Sequence, residues 1–118
     1  MNVQPIPKPF RVKDAKGMKK VKAITYCERC GRPGNGFLVL EVAHVISRGA
    51  GGPDIKENCL KLCGPAWAGA GCHGLNHKGK VKPDELFSLI AAREGKSVEE
   101  IKEIVHKAWR FSIYEAKS

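Results

Sequence analysis

Four residues in one stretch of the chain have the types and order that could break a phosphodiester bond: His44, Asn58, His73 and His77. That cleavage needs a base to activate water, a cation to offset charge on the phosphate, and stabilisation of the leaving oxygen. An imidazole titrates near neutral pH, so His44 suits the base. His73 and His77 stand four residues apart, which puts them on one face of a helix, where they could hold one divalent metal. Asn58 does not titrate, and its amide could bond backbone across a loop and fix the orientation of His44. Singly, each residue has an ordinary reading as a turn residue or an incidental surface histidine. Their order, interleaved with cysteines, joins them into one site.

Five cysteines accompany the set. Cys27 and Cys30 flank a two-residue gap followed by Gly31, the pattern of a knuckle turn that closes one side of a zinc tetrahedron. Cys63 and Cys72 complete four thiolates. Cys59 competes with Cys63 for a place. Cys63 is preferred because it abuts Gly64-Pro65, and Cys59 then becomes a small buried hydrophobe. Metal binding is favoured over disulfides because the chain shows neither a secretory signal core nor an apolar run long enough to span a membrane. A cytoplasmic location follows as the expectation, the host cytoplasm if the chain is phage-encoded.

These residues need elements to hold them. Lys20 to Tyr26 is β-favouring and leads into the knuckle. Residues 37–42 predict a strand ending at Ala43-His44, residues 47–54 a glycine-rich loop, and residues 59–62 a second strand. Residues 64–71, Gly-Pro-Ala-Trp-Ala-Gly-Ala-Gly, predict a loop with Trp67 as its one bulky member. Residues 72–78 predict a short helix stopped by Gly79. Pro83 suits a first helical position, Leu86, Leu89 and Ile90 form an apolar stripe, and Gly95 closes that helix. Ser97 to Glu100 is a capping box, and Val98, Ile101, Val105, Ala108, Trp109 and Ser112 recur at helical spacing.

The set Cys27-x2-Cys30, Leu40-Glu41-Val42-Ala43-His44-Val45, Arg48, Gly51-Gly52, Asn58, Leu62-Cys63 and Cys72-His73-x3-His77 resembles the HNH endonuclease family over about residues 26–79. It is most similar to small stand-alone members from phage and prophage genomes. The resemblance implies an α+β fold: a ββα-metal finger with a four-cysteine zinc element, followed here by C-terminal helices. It implies structural Zn2+ on Cys27, Cys30, Cys63 and Cys72, and one catalytic divalent ion (Mg2+, Mn2+, Zn2+ or Ni2+) on His73 and His77. It also implies DNA cleavage, often as nicking, with His44 as general base. Two positions depart from the family pattern. Many members carry a ligating His or Asp just before the base, where this chain has Ala43. The metal would then rest on two histidines with water and phosphate, or on a substitute such as Glu41, which points the same way as residue 43 in a strand. The usual second Cys-x2-Cys is stretched to Cys63-x8-Cys72.

The length of 118 residues suits one domain, divided as a basic arm over residues 1–22, the zinc element and finger core over 23–80, and helices over 81–118. Lys and Arg outnumber Asp and Glu by 21 to 12, a net charge of +9 that suits a polyanion such as DNA. The arm, with Pro5, Pro7 and Pro9 and seven basic residues, predicts an irregular segment lying along phosphates or a solubilising tail. Arg48 is the choice for closest approach to the scissile phosphate, with Lys56, Lys61, Lys78, Lys80 and Lys82 as further contacts. The C-terminal helices could pack on the finger, mediate dimers or position a partner such as a phage packaging protein. A non-catalytic zinc-ribbon nucleic-acid binder derived from such a nuclease is the competing function, and an RNA-directed nuclease a third.

Overall fold

A computed structural model describes residues 12–36 and 38–117, and the side chains of the described residues up to 109. The elements run α1 (Ala15–Lys22), β1 (Val39–His44), β2 (Cys59–Gly64), α2 (Gly71–His77), α3 (Pro83–Glu94) and α4 (Val98–Lys117). Short 3-10 turns lie at Arg48–Ala50, Lys56–Asn58 and Ala66–Ala68.

The strands form an antiparallel pair in which Glu41 faces Leu62, Ala43 faces Leu60 and His44 faces Cys59. Alternation gives the pair two faces. Glu41, Ala43, Leu60 and Leu62 share one, and Val42, His44, Cys59, Lys61 and Cys63 share the other. Every residue of β2 is buried. Leu60, Leu62 and Ala43 join Leu86 and Ile90 of α3 and Ile101 and Val105 of α4 in the core. Ser97 caps α4 by accepting from the Glu100 amide at 3.1 Å. Gly95, in the left-handed region at φ 66°, ends α3.

Three expectations change. The basic arm is not irregular throughout. Residues 1–11 lie outside the described residues, but Asp14 accepts from the Gly17 amide at 3.1 Å and caps α1. Val21, 1% exposed, anchors that helix. Lys19, Lys20 and Lys22 crowd its C-terminus, where cations oppose the helix dipole favourably. The first strand is shifted to Val39–His44 and the second extends to Gly64, while Phe37 lies outside the described residues, as does the side chain of Ser112. Finally, Lys61 is no phosphate contact: it is buried and donates to the Lys22 carbonyl at 2.8 Å. Lys56 is likewise occupied, by Glu94 at 3.0 Å.

Candidate active site

His44 closes β1, and the 47–54 loop folds back onto it. Gly52 makes the return possible, because a Cβ there would lie 1.8 Å from the Ile46 carbonyl oxygen. The loop delivers Asp54, whose Oδ1 lies 2.7 Å from His44 Nε2 and whose Oδ2 accepts from Arg48 Nη2 at 3.3 Å. Asp54 is held in turn by the segment leading into α1, since its amide donates to the Val12 carbonyl and its carbonyl accepts from the Asp14 amide, both at 2.8 Å. A cavity of about 390 Å³ opens there, lined by His44, Asp54 and Arg48 with Lys13 and Lys22. Asp54 was missed in the sequence. Its only signal is its place directly after Gly51-Gly52-Pro53, at the point where a tight loop must rejoin the strand.

Asn58 is fully buried and clamps this loop at both ends. Its Oδ1 accepts from the Ile46 amide at 2.9 Å, and its Nδ2 donates to the carbonyls of Ile46 and Pro53, both at 3.0 Å. Its carbonyl accepts from the Val45 amide. Trp109 of α4 adds a further pin, donating from its indole to the Ala50 carbonyl at 3.0 Å.

His73 and His77 lie on α2, their rings 4.7 Å apart and nearly perpendicular. They associate with the opposite face of β1. His73 Nδ1 is 2.9 Å from Glu41 Oε1, which also accepts from the Ala66 amide at 2.8 Å. Burial resists ionisation of Glu41, but the Ala66 amide and the two imidazoles outweigh it and hold the carboxyl below its ordinary value. With its carboxylate on Nδ1, His73 is oriented to offer Nε2 to a ligand, the arrangement by which carboxylates support metal-binding histidines. Ala43 is 1% exposed against Leu60 and offers no donor. His44 therefore stands on one face of β1, and Glu41, His73 and His77 gather on the other. His106 is exposed and lies beside Trp109 on α4.

Four thiols converge at the knuckle. The sulfurs of Cys27, Cys30, Cys63 and Cys72 all lie within 4.8 Å of one another, and Cys30 and Cys63 are 3.8 Å apart. Zinc–sulfur bonds of about 2.3 Å in a tetrahedron require sulfurs about 3.8 Å apart, so the cluster has the dimensions of a closed metal site. Among the described residues no other group of three or more ligating side chains converges in this way. Burial pushes the Cys27 thiol up, but amide donors led by that of Cys30 bring it down to about 7. Burial pushes Cys72 up to about 12 against the pull of Arg29, which donates to its sulfur at 3.5 Å. Cys59 stands apart, pushed up to about 12 by burial and then by the charge of Asp54, and it packs as a protonated thiol.

Behind the site, Arg93 of α3 donates to the Glu28 carboxylate at 2.9 Å and to the carbonyls of Lys56 and Cys59 at 2.6 and 3.2 Å. It thereby ties the knuckle and the segment carrying Asn58 to the helical layer.

Two antiparallel strands, a short helix bearing two histidines and a four-cysteine cluster make this fold a ββα-metal finger. The family model described as HNH endonuclease matches residues 27–79, so over that span the chain is similar to that family. Searches of the curated proteins and of the solved structures found no match. Among the described residues no helix is long and apolar enough to cross a membrane.

Proposed function

We propose that this domain is a metal-dependent DNA endonuclease that nicks one strand at a time, with zinc in the four-cysteine cluster as a structural ion. The observation that carries the reading is the pairing of His44 with Asp54 on one face of β1 while the histidine pair and Glu41 occupy the other. Hydrolysis in line requires attacking water and leaving oxygen on opposite sides of phosphorus. A phosphate lying across the end of β1 would meet a base from one side and a metal site from the other.

His44 takes the proton from water, and the Asp54 carboxylate holds its ring and offsets the positive charge that builds on it. Asn58 keeps the loop shut around that pair. Arg48 gives a guanidinium to a phosphate oxygen, the geometry that guanidinium groups suit best. His73 and His77 would hold the divalent ion, since Ala43 offers it no donor. Bound there, the ion would neutralise charge on the phosphate and on the leaving 3′ oxygen.

Nicking of supercoiled plasmid across Mg2+, Mn2+, Zn2+ and Ni2+ tests the reading. Cleavage with at least one ion, lost in His44→Ala while DNA binding survives, is the expected result. The buried Ala43 favours one competitor, a nucleic-acid binder that has lost catalysis. Binding without cleavage by any of these ions would establish that competitor instead.

A further inference from the structure

Trp67 is 87% exposed, far more than any other large apolar side chain among the described residues. Tryptophan ordinarily buries most of a large surface, so a rigid site that leaves it in water calls for a ligand. The turn beneath it is built without the indole. The Ala70 amide donates to the Pro65 carbonyl at 3.1 Å, and the Gly69 amide to that of Ala66 at 2.8 Å. The loop sits so close on α2 that a Cβ on Gly74 would fall 2.3 Å from the Gly69 carbonyl carbon. Lys78 fixes the far side, donating to the Gly69 carbonyl at 3.1 Å. Folding of the loop therefore does not depend on what the side chain at 67 is.

Its position is equally specific. The neighbouring Ala66 amide donates to the Glu41 oxygen that also meets His73 Nδ1. The residue before Trp67 thus touches the candidate metal site, and the ammonium of Lys78, at the end of α2, is held against the same loop. An aromatic face beside cations is how proteins hold a strand with splayed bases: the cations follow phosphates and a base stacks on the ring. The surrounding loop residues are Gly, Pro and Ala, which have no side-chain donors to read base edges. Stacking there would tolerate any base but would require that base to be unstacked.

We propose that Trp67 is a stacking platform for an unpaired base of the DNA strand at the site, so that the domain prefers single-stranded or distorted DNA to continuous duplex. This inference rests on the reading of His73 and His77 as the place where a DNA strand is held.

The test uses Trp109→Phe protein, in which Trp67 is the remaining tryptophan. Its emission is followed on titration at low salt with a short oligothymidine, an abasic deoxyribose-phosphate chain of equal length, and a blunt duplex. The base-bearing single strand should quench the emission and the abasic chain should not. Trp67→Ala should weaken oligothymidine binding about tenfold and leave abasic-chain binding unchanged, and Trp67→Phe should restore most of the loss. Equal quenching by the abasic chain, or unaltered oligothymidine affinity in Trp67→Ala, would overturn the platform. The two readings fail separately. Nicking without base-dependent quenching removes the platform and keeps the nuclease, whereas base-dependent quenching in a protein that cuts with no divalent ion does the reverse.

Discussion

His44 and Asp54 are joined by a 2.7 Å contact across a loop that begins and ends at the Asn58 side chain. The contact pairs the imidazole with a carboxylate that is itself fixed through its backbone to the segment before α1. Asp54→Asn keeps the size of the side chain and removes its charge. Nicking by this variant should fall at least about tenfold, since the carboxylate no longer offsets the charge on protonated His44 and its ion pair with Arg48 is lost as well. Steady-state rates measured with the best divalent ion would decide it, and a rate equal to wild type would exclude Asp54 from the reaction.

Glu41 should act on the metal through His73. Glu41→Gln retains an oxygen for the Ala66 amide but loses the charge that strengthens the imidazole as a ligand. Affinity for Mn2+ or Ni2+ at the histidine pair should drop about tenfold, as expected for the partner of a metal-binding histidine. Calorimetric titration of zinc-loaded protein measures this directly. The same carboxyl has a pH signature. Its folded-state value is depressed, so its contribution to stability is complete above the ordinary carboxylate range and disappears as pH falls through the depressed value. Acid unfolding of Glu41→Gln should therefore be shallower than that of wild type.

Arg93 is the strongest link between the helices and the finger. Arg93→Ala would leave the Glu28 carboxylate, 5% exposed, held by the Lys61 amide but without its cation, and would free two backbone carbonyls. Removing one partner of a buried pair costs about 3 kcal/mol or more. The urea midpoint should fall accordingly with an unchanged slope. A shift below about 0.5 kcal/mol would mean that water replaces the guanidinium without loss.

Metal removal is the remaining lever. Thiolates bind zinc only once deprotonated. Protons compete for the sulfurs of Cys63 and Cys72 at any pH near neutrality, because burial raises both thiols, and Cys27, at about 7, joins them below that value, so zinc affinity should fall as pH drops and most steeply below about 7. The sign follows from linkage: a thiol lowered from 9.0 to about 7 stabilises the fold fully above its unfolded value and no longer does so below 7. Competition with a chromogenic chelator from pH 8 to pH 6 should show it, and a flat affinity would assign the metal to other ligands.

Periodic features were the legible ones. Leu86 and Ile90, and Ile101 and Val105, announce α3 and α4 because a buried stripe must repeat at helical spacing. The cysteines were legible because a two-residue gap is a property of the ligand turn itself. Even the choice of Cys63 over Cys59 turned on local context, since both lie on the same face of β2. Other features depend on contacts between distant segments. Helix α1 escaped notice because half of its residues are lysine and a single buried valine anchors it. Lys61 read as a surface cation until the carbonyl of Lys22 lay within its reach. Trp109 fitted the apolar stripe of α4, and its bond to Ala50 could not be read from periodicity.

The four sulfurs come from three separate places in the chain: the knuckle, the end of β2 and the first turn of α2. Such a junction leaves few ways for the finger to open in part. Any excursion that frees His73 must also loosen Cys72 next to it, and with it the ends of the loop that carries Trp67. Fluctuations that elsewhere stay local would here be shared, and amides from Cys63 to His77 should exchange with solvent as one cooperative unit, at one rate, while metal holds the cluster.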